Sequence, residues 1–126
     1  MKGVTKPLAP WTTLKGQAST EVAQASDGWI DLSDFEDLAV NLDVAFLYAT
    51  TASNIEVIVE TAQMPDAIST DWQEVVKRTS VGATLVYAGA REAATTHFLR
   101  FLRWRVAGGV TGSDWTATFK VDATVR

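Results

Sequence analysis

The sequence predicts an all-β fold: an antiparallel, jelly-roll-like β-sandwich in a single domain, preceded by an extended N-terminal arm. Three observations carry this. From Trp115 onward the chain alternates without a break, with Trp115, Ala117, Phe119, Val121, Ala123 and Val125 set against Thr116, Thr118, Lys120, Asp122, Thr124 and Arg126. Period-two alternation places every apolar residue on one face of a half-buried strand. Several further short runs rich in β-branched and aromatic residues are separated by turn signals, and few segments carry a helical stripe. At 126 residues the chain has the length of one ordinary domain.

The elements follow in order. Residues 1–15 read as the arm, interrupted by Pro7 and Pro10, and residues 16–126 as the sandwich. Short strands are candidates at residues 11–14, 19–23 and 29–32, and Ser33 and Glu36 have the spacing of a capping box, so one helical turn can form there. Residues 38–48 form a strand with Leu38, Val40, Leu42, Val44 and Phe46 on one face and Ala39, Asn41, Asp43, Ala45 and Leu47 on the other. Residues 54–62 set Ile55, Val57 and Val59 against Glu56, Ile58 and Glu60, and the stretch Thr-Thr-Ala-Ser-Asn before them reads as a hairpin loop. Shorter strands fall at residues 72–76 and 83–87.

Residues 97–106 admit two readings. As a strand, Phe98, Leu102, Trp104 and Val106 face inward with Arg100, while Arg103 and Arg105 face out. As a helix, Ala94, Phe98, Phe101 and Leu102 form a stripe after the helix-forming lead Arg91-Glu-Ala-Ala. Aromatic density and the glycine-rich exit at Gly108, Gly109 and Gly112 favour the strand. It is expected to pair with the terminal strand through a loop at residues 108–114.

Composition excludes several function classes. There is no cysteine, hence no disulfide framework, thiolate nucleophile or cysteine-based zinc site. The N-terminal residues lack the apolar run of an export signal, and no segment approaches the ~20 apolar residues of a membrane span. A net charge of −4 argues against general affinity for nucleic acid, whose binding is driven by phosphate neutralisation.

The charges are divided along the chain. No Lys or Arg occurs between Lys15 and Lys77, a span that holds Glu21, Asp27, Asp31, Asp34, Glu36, Asp37, Asp43, Glu56, Glu60, Asp66, Asp71 and Glu74. Beyond it the sign reverses, with Arg100, Arg103 and Arg105 on one predicted strand. If the acidic and basic strands are neighbours the asymmetry cancels inside the molecule; if they lie apart it is a code for association.

Candidate chemistry is weak throughout. His97 is the single histidine, and no Gly-x-Ser-x-Gly elbow accompanies it. The acidic run from Asp27 to Asp37 lacks the alternate acids and central glycine of an EF-hand, so a solvated loop is the default and a looser calcium loop the alternative. Glu56 and Glu60 share a face, as paired glycosidase carboxylates do, but two glutamates on a strand more often solubilise it or protect an edge. Arg103 and Arg105, on one outward face, suit an anionic ligand or, better, the acidic strands. Arg100 must reach the rim or find a carboxylate, because an unpaired buried guanidinium is very costly. Trp104 and Trp115 are expected in the core, while Trp11, Trp29 and Trp72 remain open.

The order Asn54-Ile-Glu-Val-Ile-Val-Glu-Thr, then Asp71-Trp-Gln-Glu-Val-Val, then His97-Phe-Leu-Arg-Phe-Leu-Arg-Trp-Arg-Val resembles the second half of discoidin-like, galactose-binding-type jelly rolls. The resemblance spans about residues 54–125 and implies the fold; that family's sugar-binding loops have no fixed motif, so no binding residue is carried over. The whole chain also resembles, by type, small structural proteins of tailed bacteriophages, such as capsid decoration or head and tail accessory proteins.

These readings give a functional expectation: a non-enzymatic virion structural protein, made in the host cytoplasm. It would form a homo-oligomer and dock on a major capsid or tail protein of the same particle. The expected contact residues are Lys2, Lys6 and Lys15 on the arm, Arg103 and Arg105, and Glu56 and Glu60. No cofactor, metal, nucleic acid or membrane is called for. The alternative is a carbohydrate-binding module serving host attachment, with a glycan as partner.

Overall fold

A computed structural model of the chain describes residues 3–16, 21–49, 55–64, 71–80, 84–94, 98–108 and 114–126. These form two antiparallel sheets packed face to face. The strands are β1 (Val4–Gly16), β2 (Glu21–Ala23), β3 (Ile30–Asp31), β4 (Leu38–Ala49), β5 (Ile55–Ala62), β6 (Gln73–Thr79), β7 (Thr84–Ala94), β8 (Phe101–Gly108) and β9 (Trp115–Val125). The first sheet has the order β1-β9-β4-β7; the second has the order β2-β8-β5-β6, and β3 continues the β2 edge along β8. Most consecutive strands lie in opposite sheets, so the chain crosses the sandwich repeatedly, which is jelly-roll connectivity.

The structure revises five readings. The segment read as an arm is not free over its described residues: it is β1, paired with β9 from Val4↔Val125 to Gly16↔Trp115. Its prolines suit it to an edge, where the missing N–H is not needed by a neighbour. The β4 to β5 connection is a crossing between sheets rather than a hairpin, and β8 pairs with β5, β2 and β3 rather than with β9. The Arg91-Glu-Ala-Ala lead belongs to strand β7, and the spacing of Ser33 and Glu36 produces a turn without a helix. There Phe35 N–H donates to Leu32 O at 3.0 Å, and Asp31 accepts from Ser33 N–H at 2.9 Å. The strand reading of residues 97–106 holds from Phe101, and His97 lies outside the described residues.

The core forms where the two alternating faces meet. Val40, Leu42, Val44, Val57, Val59, Leu102, Val106, Trp115, Phe119 and Val121 are all essentially inaccessible to solvent. Each such side chain contributes roughly 1.5–3 kcal/mol by burial. Trp104 packs edge-on against Phe119 at 5.2 Å between ring centroids, as the inward assignment of both tryptophans on β8 and β9 requires. Gly16 lies so close to the Trp115 ring that any β-carbon there would overlap it.

β4 departs from strict alternation. Its pairing with β9 shifts between Val44 and Phe46, so one extra residue, Ala45, is inserted. A bulge reverses the phase of a strand beyond it. Leu47 and Ala49 are therefore buried, whereas Phe46 and Tyr48, on the opposite phase, turn to the outer face.

Candidate interaction surfaces

The outer face of the five-stranded sheet receives most of the residues singled out as contacts. Glu60 on β5 stands opposite Arg103 on β8, and Ile58 opposite Arg105. Arg103 Nη2 and Arg105 Nε reach the two carboxylate oxygens of Glu60 at 2.7 and 3.0 Å, and Arg105 Nη1 continues to Glu21 Oε1 at 3.1 Å. The Glu60 side chain is 3% exposed and that of Arg103 12%. The guanidinium of Arg103 lies 3.9 Å from the Trp72 ring centre and 5.8 Å from that of Trp29, and these two rings meet edge to face at 4.9 Å. For Arg105, burial alone would lower the pKa, but the hydrogen bond and charge of Glu60, with Glu21, raise it.

This arrangement corrects the edge-protection reading of Glu60, and it agrees with the preferred reading of Arg103 and Arg105, that they meet the acidic strands. β5 is an interior strand, and the three charges are spent on one another inside the chain. The aromatic cover from Trp29 and Trp72 was not legible in the sequence, because it comes from segments outside the strands that carry the charges. Glu56 is more open: its Oε1 lies 3.9 Å from Lys77 Nζ and accepts from Thr79 Oγ1 at 3.3 Å. The two glutamates therefore have separate partners.

At the end of the sandwich where β4 starts, Arg100, read as facing inward, instead lies just before β8 with its side chain 46% exposed and meets a carboxylate at the rim. Its Nη2 lies 3.2 Å from Asp31 Oδ2. The Ser33 backbone N–H, then the Ser33 hydroxyl and Arg100, hold the Asp31 carboxyl down to about 2. Arg126 closes the same end, with Nε 2.7 Å from Asp37 Oδ2 and its backbone bonded to Glu36 and Asp37. Asp34, Glu36, Asp37 and Arg126 line an open depression of about 340 Å³. Among the described residues no three His, Cys, Asp or Glu side chains converge as metal ligands.

β1 offers a different surface. Val4 and Trp11 are 56% and 53% exposed, and Lys15 is exposed and makes no ion pair among the described residues. Lys6 instead lies 5.0 Å over the Phe35 ring, and Lys2 falls outside the described residues. On the outer face of the four-stranded sheet, Phe46 and Tyr48 stand nearly parallel, 6.1 Å apart, with Tyr48 38% exposed. Their β9 partners are Thr118 and Thr116. The aromatic pair was missed in the sequence because only the bulge turns both rings outward.

No helix among the described residues is long and apolar enough to cross a membrane. No family model matches the chain, and no curated protein is similar to it in sequence. Solved structures share its fold. The PBSX exported protein XepA aligns over 97% of this chain and 36% of its own, with a TM-score of 0.54 at 14% identity. The VP2 subviral particle of infectious bursal disease virus aligns over 99% and 33%, at 0.60 and 9%. A structure described as "CBM4 structure and function" aligns over 99% and 95%, at 0.54 and 11%. The chain thus spans about a third of the first two proteins and nearly all of the third. At these identities the likeness establishes a common β-sandwich.

Proposed function

We propose that the chain is a non-enzymatic structural protein of a phage or virus particle, one that docks on a larger assembly and self-associates. The observation that carries the reading is Trp11 on β1, more than half exposed, with the exposed Lys15 further along the same strand making no ion pair among the described residues. Large aromatics are the residues on which protein interfaces concentrate their energy, and a flanking cation favours an acidic partner. The fold shared with XepA and with a capsid protein supports the reading without specifying it. A direct test is co-sedimentation of the purified chain with capsid and tail particles assembled from the genes flanking its own. Binding that weakens tenfold or more in Trp11→Ala, with the thermal midpoint unchanged, is the expected result. Absence of binding to every such particle would sink the proposal.

A second reading has its own observation. The near-parallel Phe46 and Tyr48, bordered by threonines, suit a carbohydrate-binding module, since sugar rings pack on aromatic faces while hydroxyls take their polar edges. Glycan-array binding that is lost in Tyr48→Ala and retained in Trp11→Ala would favour this reading over the first.

A further inference from the structure

Among the described residues the two sheets have four edges, and three of them are blunted. β1 carries Pro7 and Pro10 and two register shifts against β9. The β2 edge is broken by a single 3-10 turn at Ser26–Gly28 before β3 resumes it. β6 is short, carries a register shift against β5 and presents Glu74 and Lys77. Prolines, bulges, interruptions and charges are the devices by which proteins keep edges from pairing.

β7 has none of the first three. It runs 11 residues in unbroken register with β4, contains no proline, and its sequence Thr-Leu-Val-Tyr-Ala-Gly-Ala-Arg-Glu-Ala-Ala is mostly small after the tyrosine. A long flat edge of this kind is a template for another strand.

We infer that β7 is a self-association edge, pairing antiparallel with the β7 of a second copy about a two-fold axis at Ala90. The inference rests on the self-association in the reading above and supplies its geometry. In such a pair, opposed residues share a face of the sheet. A two-fold centred on Arg91 would oppose like charges. Centring on Ala90 opposes Gly89 to the second copy's Arg91, and residues 86–94 of each copy overlap.

The side chains around Gly89 support this register. Asp43 stands opposite Gly89 on the neighbouring β4, and Asn41 opposite Arg91, so Asp43, Gly89 and Arg91 share the outer face. Among the described residues neither Asp43 nor Arg91 has an ion pair: Lys120, opposite Asp43 on β9, binds Asp122 at 3.4 Å. In the dimer the order Asp43, Gly89, second copy's Arg91 crosses two strand spacings, about 10 Å. An extended arginine reaching over a residue without a side chain closes that gap, and symmetry makes the contact twice. Glycine is not demanded by the monomer here, since a β-carbon at Gly89 would make only an ordinary 3.5 Å contact with Asp43 Oδ1. Arg78 Nε donates to Gly89 O at 2.9 Å and Arg78 Nη2 donates to the same oxygen, so this side chain swings off the edge when the second strand takes that carbonyl.

Sedimentation equilibrium of the full chain and three variants tests this. Asp43→Arg and Arg91→Asp should each weaken dimerisation at least tenfold, and the double variant carrying both should return to within about threefold of the parent. Because the double variant contains both changes, its recovery also shows that each is compatible with folding. A dimer indifferent to all three variants overturns the β7 edge and leaves self-association standing. A folded double variant that stays weak also overturns it. A parent chain that is monomeric at about 1 mM overturns both the edge and self-association, while particle co-sedimentation still tests docking separately.

Discussion

Glu60 is the side chain on which the outer face of the five-stranded sheet turns. A carboxylate 3% exposed between two guanidiniums is tolerable only because each oxygen has a partner. Glu60→Ala would leave Arg103 and Arg105 facing each other, one of them mostly buried. Removing one partner of a buried pair costs about 3–5 kcal/mol, so urea unfolding should show a loss near the lower figure, Arg105 keeping Glu21. Replacing Glu60 by Leu together with Arg103 by Met should cost less than Glu60→Ala alone, because no charge is left unpaired. Asp31 gives a second residue-scale prediction. Its folded pKa of about 2 is below the ordinary 3.8, so its contribution is complete above about pH 4 and is lost as pH falls through 2. Carboxyl chemical shifts followed by NMR should place its midpoint near 2, and in Ser33→Pro, which removes the donating N–H, the midpoint should move up.

At the scale of elements, β1 and the bulge in β4 decide the character of two surfaces. As a strand, β1 covers the edge of β9 and buries Leu8 and Ala9, and Gly16 admits the Trp115 ring. Deleting residues 1–16 should therefore abolish the cooperative thermal transition, whereas a true arm would be dispensable; differential scanning calorimetry distinguishes the two. The bulge can be tested by deleting Ala45. Val44 would then be followed directly by Phe46, so strict alternation keeps Phe46 and Tyr48 outward and Leu47 and Ala49 inward, and the variant should fold with these faces preserved. Both features show where sequence reading stops. Strand β9 was legible to the residue because its alternation is uninterrupted. β1 was not, because two prolines and two register shifts erase its period, and only the presence of β9 beside it reveals what it pairs with. In β4 the apolar run continues through Ala45, Phe46 and Leu47, so a phase change leaves no mark in hydropathy.

For the whole molecule, the division of charge is settled chiefly by adjacency. β5 and β8 are neighbours, so the acidic middle and the basic strand neutralise each other at Glu60, Arg103 and Arg105. Pairs shielded from solvent respond weakly to salt. The thermal midpoint should accordingly move by no more than a few degrees between about 0.05 and 1 M NaCl, even if association through exposed charges weakens over the same range. The sequence by itself determined the all-β class, the positions of most strands and the apolar faces of β5 and β9, because these follow from periodicity along the chain. It also determined that Arg100 must reach the rim or find a carboxylate, because the cost of an unpaired buried guanidinium is independent of topology. Only the tertiary structure decided which strands are neighbours, that Glu60 and its arginines are partners in one chain, and that β7 lies at a sheet edge. Those outcomes depend on contacts between residues far apart in sequence, and strand alternation repeats identically whichever neighbour a strand is given.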